Sequence, residues 1–534
     1  MLRFAINRTC PVNKLPPEML TRCFLYLTPD FPLTFGPPED GNENEWIRVA
    51  HVCKYWRAVV LEFPGLWDTI EFTRPEILDM YRKLSGSLPL EVCLQHVGRK
   101  FYRTMEPEPC LDLMLDMLYD LGSRIRRLII HKKWIPTHDR CKFLAKPLPE
   151  LEMLAITSDV GWENGSIDRP LTRVRRLFNG DLPRLRRLFI PESTPWPYND
   201  FKNLKPLCLY NQFTLENELP QLLQMLRESP TIEELYIRQR EYSHGMKSPP
   251  QNLGPTFQAH SLKKLRLHDF SVEAIVYILS TMQLQPNGVA VSLSDTILHG
   301  DSFARIFPLF PPECALGKTE KLEVYHDSRE VLGIIFCGTG GSFKIGGSLS
   351  WHDGNDGAEA GVRLLGYVYQ ECAQTLKELW IHSSHDDKEC YIFNNFSCYN
   401  LEKLVLVESW SNVSEHLCEV LDPRGPRIRD VPAPRLQSLT IHGISKQSQL
   451  ERLIALCEGR SKTDHPLQEV SVCGHEGLPE WMTRLCGLSS TPIHIDPWDE
   501  WDAQLMELPT VCKEDEIWWP TWEEPIDDSS QNGS

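Results

Sequence analysis

The 534-residue chain has no run of about 18 consecutive apolar residues, so no membrane-spanning helix is expected. It has no CxxC pair. Its 17 cysteines are scattered, and even the closest two, Cys390 and Cys398, lack the spacing of a paired zinc or redox motif. The same scatter argues against a secreted disulfide scaffold and fits free thiols in a reducing compartment. The opening residues, MLRFAINRTCPVNK, lack the apolar core of a signal peptide. Positive charge is also short: 73 acidic side chains against 56 basic ones leave a net charge of −17. Binding to nucleic acid or a membrane surface through charge needs basic patches, so neither partner is expected. These absences point to a soluble protein of the cytoplasm or nucleus.

Catalytic patterns are missing as well. There is no HExxH, no GxSxG and no Walker-type loop. Gly338-Thr339-Gly340-Gly341 is followed by Ser342-Phe343-Lys344, the wrong order for a phosphate loop, and reads as a turn-rich insertion or a distorted repeat. His475-Glu476 lacks a second histidine at helical spacing, and Asp386-Asp387 and Asp527-Asp528 read as solvated surface. No enzyme activity, metal ligand or cofactor is expected.

What is present begins at the N-terminus. Leu15-Pro16-Pro17-Glu18 is a helix start, because proline is tolerated in a first turn and a carboxylate there suits the helix dipole. Met19, Leu20, Cys23, Phe24 and Leu27 then recur at helical spacing. A proline- and glycine-rich loop follows, and from Glu45 a second run puts Val49, Cys53, Trp56 and Val60 on one face until Pro64-Gly65 ends it. So few short helices cannot bury this much apolar surface alone. The segment is either a cap on a larger core or a docking surface for a partner.

These residues resemble an F-box. The pattern of that family is matched in order by Leu15-Pro16-x-Glu18, by Phe24 to Leu27, by Val52-Cys53-Lys54-Tyr55-Trp56-Arg57 and by Pro64-x-Leu66-Trp67. The loop before Trp46 is longer than a compact F-box has. The resemblance implies that Leu15, Pro16, Leu20, Phe24, Leu27, Val52, Cys53, Trp56, Leu66 and Trp67 contact an Skp adaptor or hold the helices together; sequence does not divide the two groups.

Beyond a region of short strands near Ile70 and Leu90, and a helix expected over Leu111 to Leu121, a hexapeptide recurs: apolar-x-x-apolar-x-apolar. Copies include Ile125/Leu128/Ile130, Leu185/Leu188/Ile190, Ile232/Leu235/Ile237, Leu376/Leu379/Ile381 and Leu436/Leu439/Ile441. Helical segments precede several copies, as at Leu219 to Leu226, Val272 to Met282, Val362 to Cys372 and Leu450 to Leu456. Between Leu284 and Gly361 the pattern nearly vanishes. A strand and a helix recurring in this way resemble a divergent leucine-rich-repeat solenoid, in which stacked units share a core that no single unit can bury.

The fold expected is therefore α/β: an N-terminal extension (1–12), an F-box (13–70), a linker or cap region (71–122), an irregular leucine-rich-repeat solenoid (123–490) and an acidic, tryptophan-rich cap or tail (491–534). Residues that alternate with the repeat's apolar positions point away from its core. The expected exposed strand face carries His131, His268, His382 and His442 together with Phe189, Tyr236 and Trp380. An open face of this kind is a candidate target-binding surface, although histidines also simply tolerate such positions. Arg127 and Arg187 fall on the same face and could meet an acidic or phosphorylated segment.

This layout resembles fungal-type F-box/leucine-rich-repeat substrate receptors of SCF ubiquitin ligases. It implies an Skp adaptor as partner, cullin and RING subunits through it, and an unknown target protein. The alternative is a repeat-built interaction scaffold whose F-box is vestigial; copurification with adaptor and cullin separates the two.

Overall fold

The structure is a computed structural model, and it describes residues 10–27, 45–71, 75–94, 118–131, 146–157, 177–191, 199, 201–212, 215–239, 255–285, 288–294, 296, 302–310, 318–326, 331–338, 341–348, 366–383, 398–408, 413–424, 431–474, 483, 491–495, 506, 509 and 511. They fall into two compact units, one within residues 1–240 and one within 241–513.

The first unit opens with α1 (Pro17–Leu25) and α2 (Lys54–Glu62), then α3 (Pro75–Leu84). The run from Glu45 is not one helix. Residues Glu45–His51 form a tight 3-10 turn, and Cys53 takes an extended conformation that starts α2 afresh, its sulfur accepting from the Trp56 N–H. A residue accepting at the N-cap satisfies an otherwise orphaned helix donor, which explains the break.

Seven strands follow in chain order: β1 (Thr69–Glu71), β2 (Leu90–Leu94), β3 (Ile125–His131), β4 (Met153–Thr157), β5 (Arg187–Pro191), β6 (Pro206–Gln212) and β7 (Glu234–Gln239). Each pairs with the next in parallel. Successive copies of the hexapeptide are in register, so Val92, Leu128, Leu154, Leu188, Leu207 and Leu235 form one buried row. Parallel strands need a crossover; between β6 and β7 it is α4 (Leu215–Glu228), which buries Leu219, Leu222, Leu223 and Leu226. Of the helix expected at Leu111 to Leu121, only 118–121 is described, and it is helical.

The second unit holds a parallel pair, β8 (Phe257–Gln258) with β10 (Met282–Gln283), and a larger sheet. The sheet's strands are β9 (Lys264–His268), β11 (Val289–Ser294), β12 (Thr319–His326), β13 (Val331–Gly338), β14 (Gly341–Ser348), β15 (Glu378–Ser383), β16 (Lys403–Glu408), β17 (Ser438–Ile444), β18 (Glu469–Gly474) and β19 (Ile493–Ile495). They lie side by side as β9-β11-β14-β13-β12-β15-β16-β17-β18-β19, and only β13 runs against the rest. The stretch where the repeat pattern vanishes is thus an antiparallel insertion, β13 and β14, with Gly338 paired to Gly341 across the turn. The paired glycines of β14 permit a close approach: a Cβ on Gly347 would sit 1.8 Å from the Thr296 carbonyl oxygen.

Helices α5 (Val272–Thr281) and α6 (Ser302–Ile306) precede β12, while α7 (Val413–Leu421) and α8 (Gln447–Lys462) cross between β16, β17 and β18. Arg460 near the end of α8 is fully buried and donates to the carbonyls of Pro432, Ala433 and His465 at 2.9–3.1 Å. Burial lowers its pKa to about 10, and the three carbonyls supply the acceptors a buried guanidinium requires. The chain is thus mixed α/β with mostly parallel strand pairing, and among the described residues no sheet closes into a barrel. Among the described residues no helix is long and apolar enough to cross a membrane.

The strand face opposite the leucine rows is not open as expected. Phe189, Tyr236, Trp380 and His442 are each only 2–4 % exposed, and His268 and His382 are partly buried. His131 ends β3, but its side chain lies outside the described residues. The reason differs in the two units. In the first, Cys93, Ile129, Ala155, Phe189, Cys208 and Tyr236 are register neighbours on six consecutive strands and bury one another as a ladder. In the second, a distant segment of the chain lies on the face.

Candidate functional site

Two surfaces bear on function, and the first is the N-terminal helical segment. The ten motif residues separate by environment. Leu20 and Phe24 form the inner side of α1 together with Thr21, and Leu66 and Trp67 are equally buried. The Trp67 indole donates to the Val60 carbonyl at 2.8 Å and packs edge-on against Trp46 and against Tyr81 of α3. Trp56 is half-buried, 5.1 Å from the Phe24 ring, with its Nε1 donating to Asn13 Oδ1 at 2.7 Å. Leu15 and Cys53 are likewise half-buried, and the Leu15 carbonyl accepts from the Tyr55 hydroxyl at 2.7 Å. These residues hold the segment together. Asn13 and Tyr55 close its two halves through side-chain hydrogen bonds, to which an apolar periodicity gives no signal.

Pro16, Leu27 and Val52 are the motif residues left at the surface. They have company. Of the eleven large apolar side chains exposed among the described residues, eight lie between residues 12 and 63: Val12, Met19, Leu25, Tyr26, Leu27, Val52, Leu61 and Phe63. Helix α1 and the turn after it therefore leave apolar side chains uncovered, with Met19 and Leu27 about half exposed (48 % and 53 %). Single exposed apolar residues are ordinary; a concentration of them marks an interaction site.

The second surface is the non-leucine face of the larger sheet. Strand register sets three rows across β12, β15 and β16: Lys321-Glu378-Lys403, Glu323-Trp380-Val405 and Tyr325-His382-Val407, the last continuing to His442 of β17. The Trp380 indole donates to Glu378 at 2.8 Å, and the Lys403 ammonium lies 4.9 Å from the indole ring. Burial alone would raise the Glu378 carboxyl pKa, but that indole donor, Lys403 and Lys321 outweigh it and hold the group low.

Glu323 is buried to 1 % exposure, which requires partners. It has two: the Tyr325 hydroxyl donates to its Oε1, and His382 Nε2 lies 2.8 Å from the same oxygen. The Tyr325 and His382 rings stack at 4.3 Å. Burial, then the neighbouring carboxyl, pushes the Tyr325 pKa upward. Burial also lowers His442 to about 4, and the His382 charge adds to it. The rows combine two carboxyls, a phenol and two imidazoles beside an apolar neighbour, Trp380. Among the described residues no group of histidines, cysteines and carboxyls could hold a metal ion.

The four expected histidines are not one set. His382 and His442 share the row described above, whereas His268 on β9 pairs with Asp269 at 2.8 Å. Arg127 is occupied by Glu91 across β2 and β3 at 3.3 Å, and Arg187 is partly buried. Glu323 and Tyr325 were missed because they lie between Leu284 and Gly361, where the repeat pattern nearly vanishes and gives no cue to the alternating positions.

No protein-family profile matches this chain, and no curated protein matches it in sequence.

Proposed function

We propose that the chain is the substrate-recognition subunit of an SCF-type ubiquitin ligase. Its helices within residues 13–70 dock on the Skp adaptor, which leads to the cullin and RING subunits, and its strand-and-helix repeats hold a target protein. The observation that carries the reading is the coincidence of two features on one segment: the ordered motif from Leu15 to Trp67 and, among the described residues, most of the large exposed apolar side chains. The in-register stack of hexapeptide strands supports the second half, since a stacked repeat array offers an extended binding surface. The chain then contributes proximity between target and ligase rather than bond chemistry of its own.

The buried and exposed groups dictate the test. Met19→Glu with Val52→Glu places charge on the exposed side while leaving Leu20, Phe24, Trp56 and Trp67 in place. In the full-length chain, capture on immobilised Skp adaptor is expected to weaken by at least about thirtyfold, with an unchanged circular dichroism spectrum. Capture equal to that of the unaltered chain removes the docking surface, and an unaltered chain that captures neither adaptor nor cullin leaves the scaffold reading in its place.

A further inference from the structure

Two positions flank the first apolar residue of each hexapeptide, one on either side, where the strand begins. In the first unit these positions pair across neighbouring copies: Arg126 with Glu152 at 2.9 Å, Lys205 with Glu233 at 2.6 Å, and Arg184 with Glu150. In the second unit they open into a cleft of about 340 Å³ across the starts of β12, β15, β16 and β17. One row of the cleft is Lys318, Thr375, Asn400 and Arg435, and the other is Glu320, Lys377 and Glu402. Both acids are spent on the central cation. Lys377 donates to Glu320 at 2.9 Å, and its pKa is raised by that hydrogen bond and charge and further by Glu402. At the two ends, Lys318 and Arg435 are exposed, have the neutral row neighbours Thr375 and Asn400, and pair with no acid among the described residues. The cleft therefore has three cations against two carboxylates, with the unmatched charge at its ends, in a chain of net charge −17.

We propose that this cleft binds an acidic segment of a partner protein, extended, with carboxylate side chains four residues apart. Strand spacing sets that interval. Neighbouring strands lie about 4.8 Å apart, so Lys318 and Arg435, separated by three such steps, stand about 14 Å apart. An extended peptide covers the same distance in four residues at about 3.4 Å each. One carboxylate then meets Lys318, the other meets Arg435, and backbone N–H groups between them donate to Glu402. The floor is already fixed, because Asn400 donates to the Gln374 carbonyl and the Thr375 hydroxyl to the Cys372 carbonyl. Binding therefore orders little besides the peptide. The end contacts are solvent-exposed, so they select spacing and register more than they add affinity. This rests on the reading of the repeats as the part that holds a target, whose chemistry it names, and it is independent of adaptor docking.

The test uses two fluorescein-labelled peptides of one composition, read by anisotropy against the full-length chain. In Gly-Asp-Thr-Ser-Thr-Asp-Gly the acids are four residues apart; in Gly-Thr-Asp-Asp-Ser-Thr-Gly they are adjacent. The spaced peptide is expected to bind at least about fivefold more tightly. Lys318→Glu with Arg435→Glu should weaken its binding at least about tenfold while leaving the circular dichroism spectrum unchanged. Absence of binding, equal binding of the two peptides, or a folded double variant that binds as before overturns the proposal. Should that variant fail to fold, Lys318→Gln with Arg435→Gln takes its place, with a loss of at least about threefold expected. If this variant unfolds too, the two cations are structural and the proposal falls. Adaptor capture, measured separately on the same proteins, is expected to be unchanged by either pair of substitutions and reports on the ligase reading alone.

Discussion

The two units build their sheets from one hexapeptide yet fill the opposite face differently. In the first unit that face is an apolar ladder, Cys93 to Tyr236, one residue from each of six strands. In the second it mixes Trp380 and Val405 with a buried carboxyl, a phenol and two imidazoles, and Met506 lies over part of it. The leucine rows are the same in both, because they must interdigitate with a neighbouring copy and tolerate little variation. The alternating positions answer only to whatever packs on them. One unit uses them for stability; the other keeps groups there that are costly to bury.

That contrast can be broken at three levels. The largest effect is expected in the first unit's ladder. Phe189→Ala opens a cavity among Ala155, Cys208 and their neighbours and should cost about 3–5 kcal/mol in denaturant unfolding. A loss below about 1 kcal/mol would mean that the ladder is loosely packed and that the two faces are alike after all.

The next effect is a pH dependence that arises at His442 in the second unit. His442 titrates at about 4 in the fold against 6.5 ordinarily, so the unfolded chain binds the extra proton between these values. Stability is therefore complete above pH 6.5 and falls as the pH drops toward 4, by about 3 kcal/mol over the window. His442→Gln should flatten that part of the profile, while the carboxyls held low, such as Glu378, act only at more acid pH. An unchanged slope in the variant would show that the imidazole is not held neutral by the fold.

The smallest effect is expected at Arg127. Its pair with Glu91 is about one-third exposed on the arginine side, so Arg127→Ala should change stability by less than about 1 kcal/mol. A larger loss would mean that the first unit's ladder depends on the ion pair at its edge.

Much of the fold was legible in advance from particular residues. The hexapeptides around Leu128, Leu188, Leu235, Leu379 and Leu439 all became strands, and the helices at Leu219, Val272 and Leu450 are where helical spacing put them. The candidate sites were legible only in outline. The motif picked out ten residues at the N-terminus, but Leu20, Phe24, Leu66 and Trp67 turn inward while Leu27 and Val52 stay out, a division that depends on Trp46, Asn13 and Tyr81 arriving from other segments.

Local periodicity by itself determined which residues form strands and which side of each strand joins the leucine core, because a period of two or of 3.6 is a property of neighbours in sequence. Only the tertiary structure decided whether the other side is open. Phe189, Tyr236, Trp380 and His442 have the alternation of an exposed face and are buried. Their burial is set by partners such as Cys208 and Met506, whose nearness is created by folding and leaves no periodic trace in the chain.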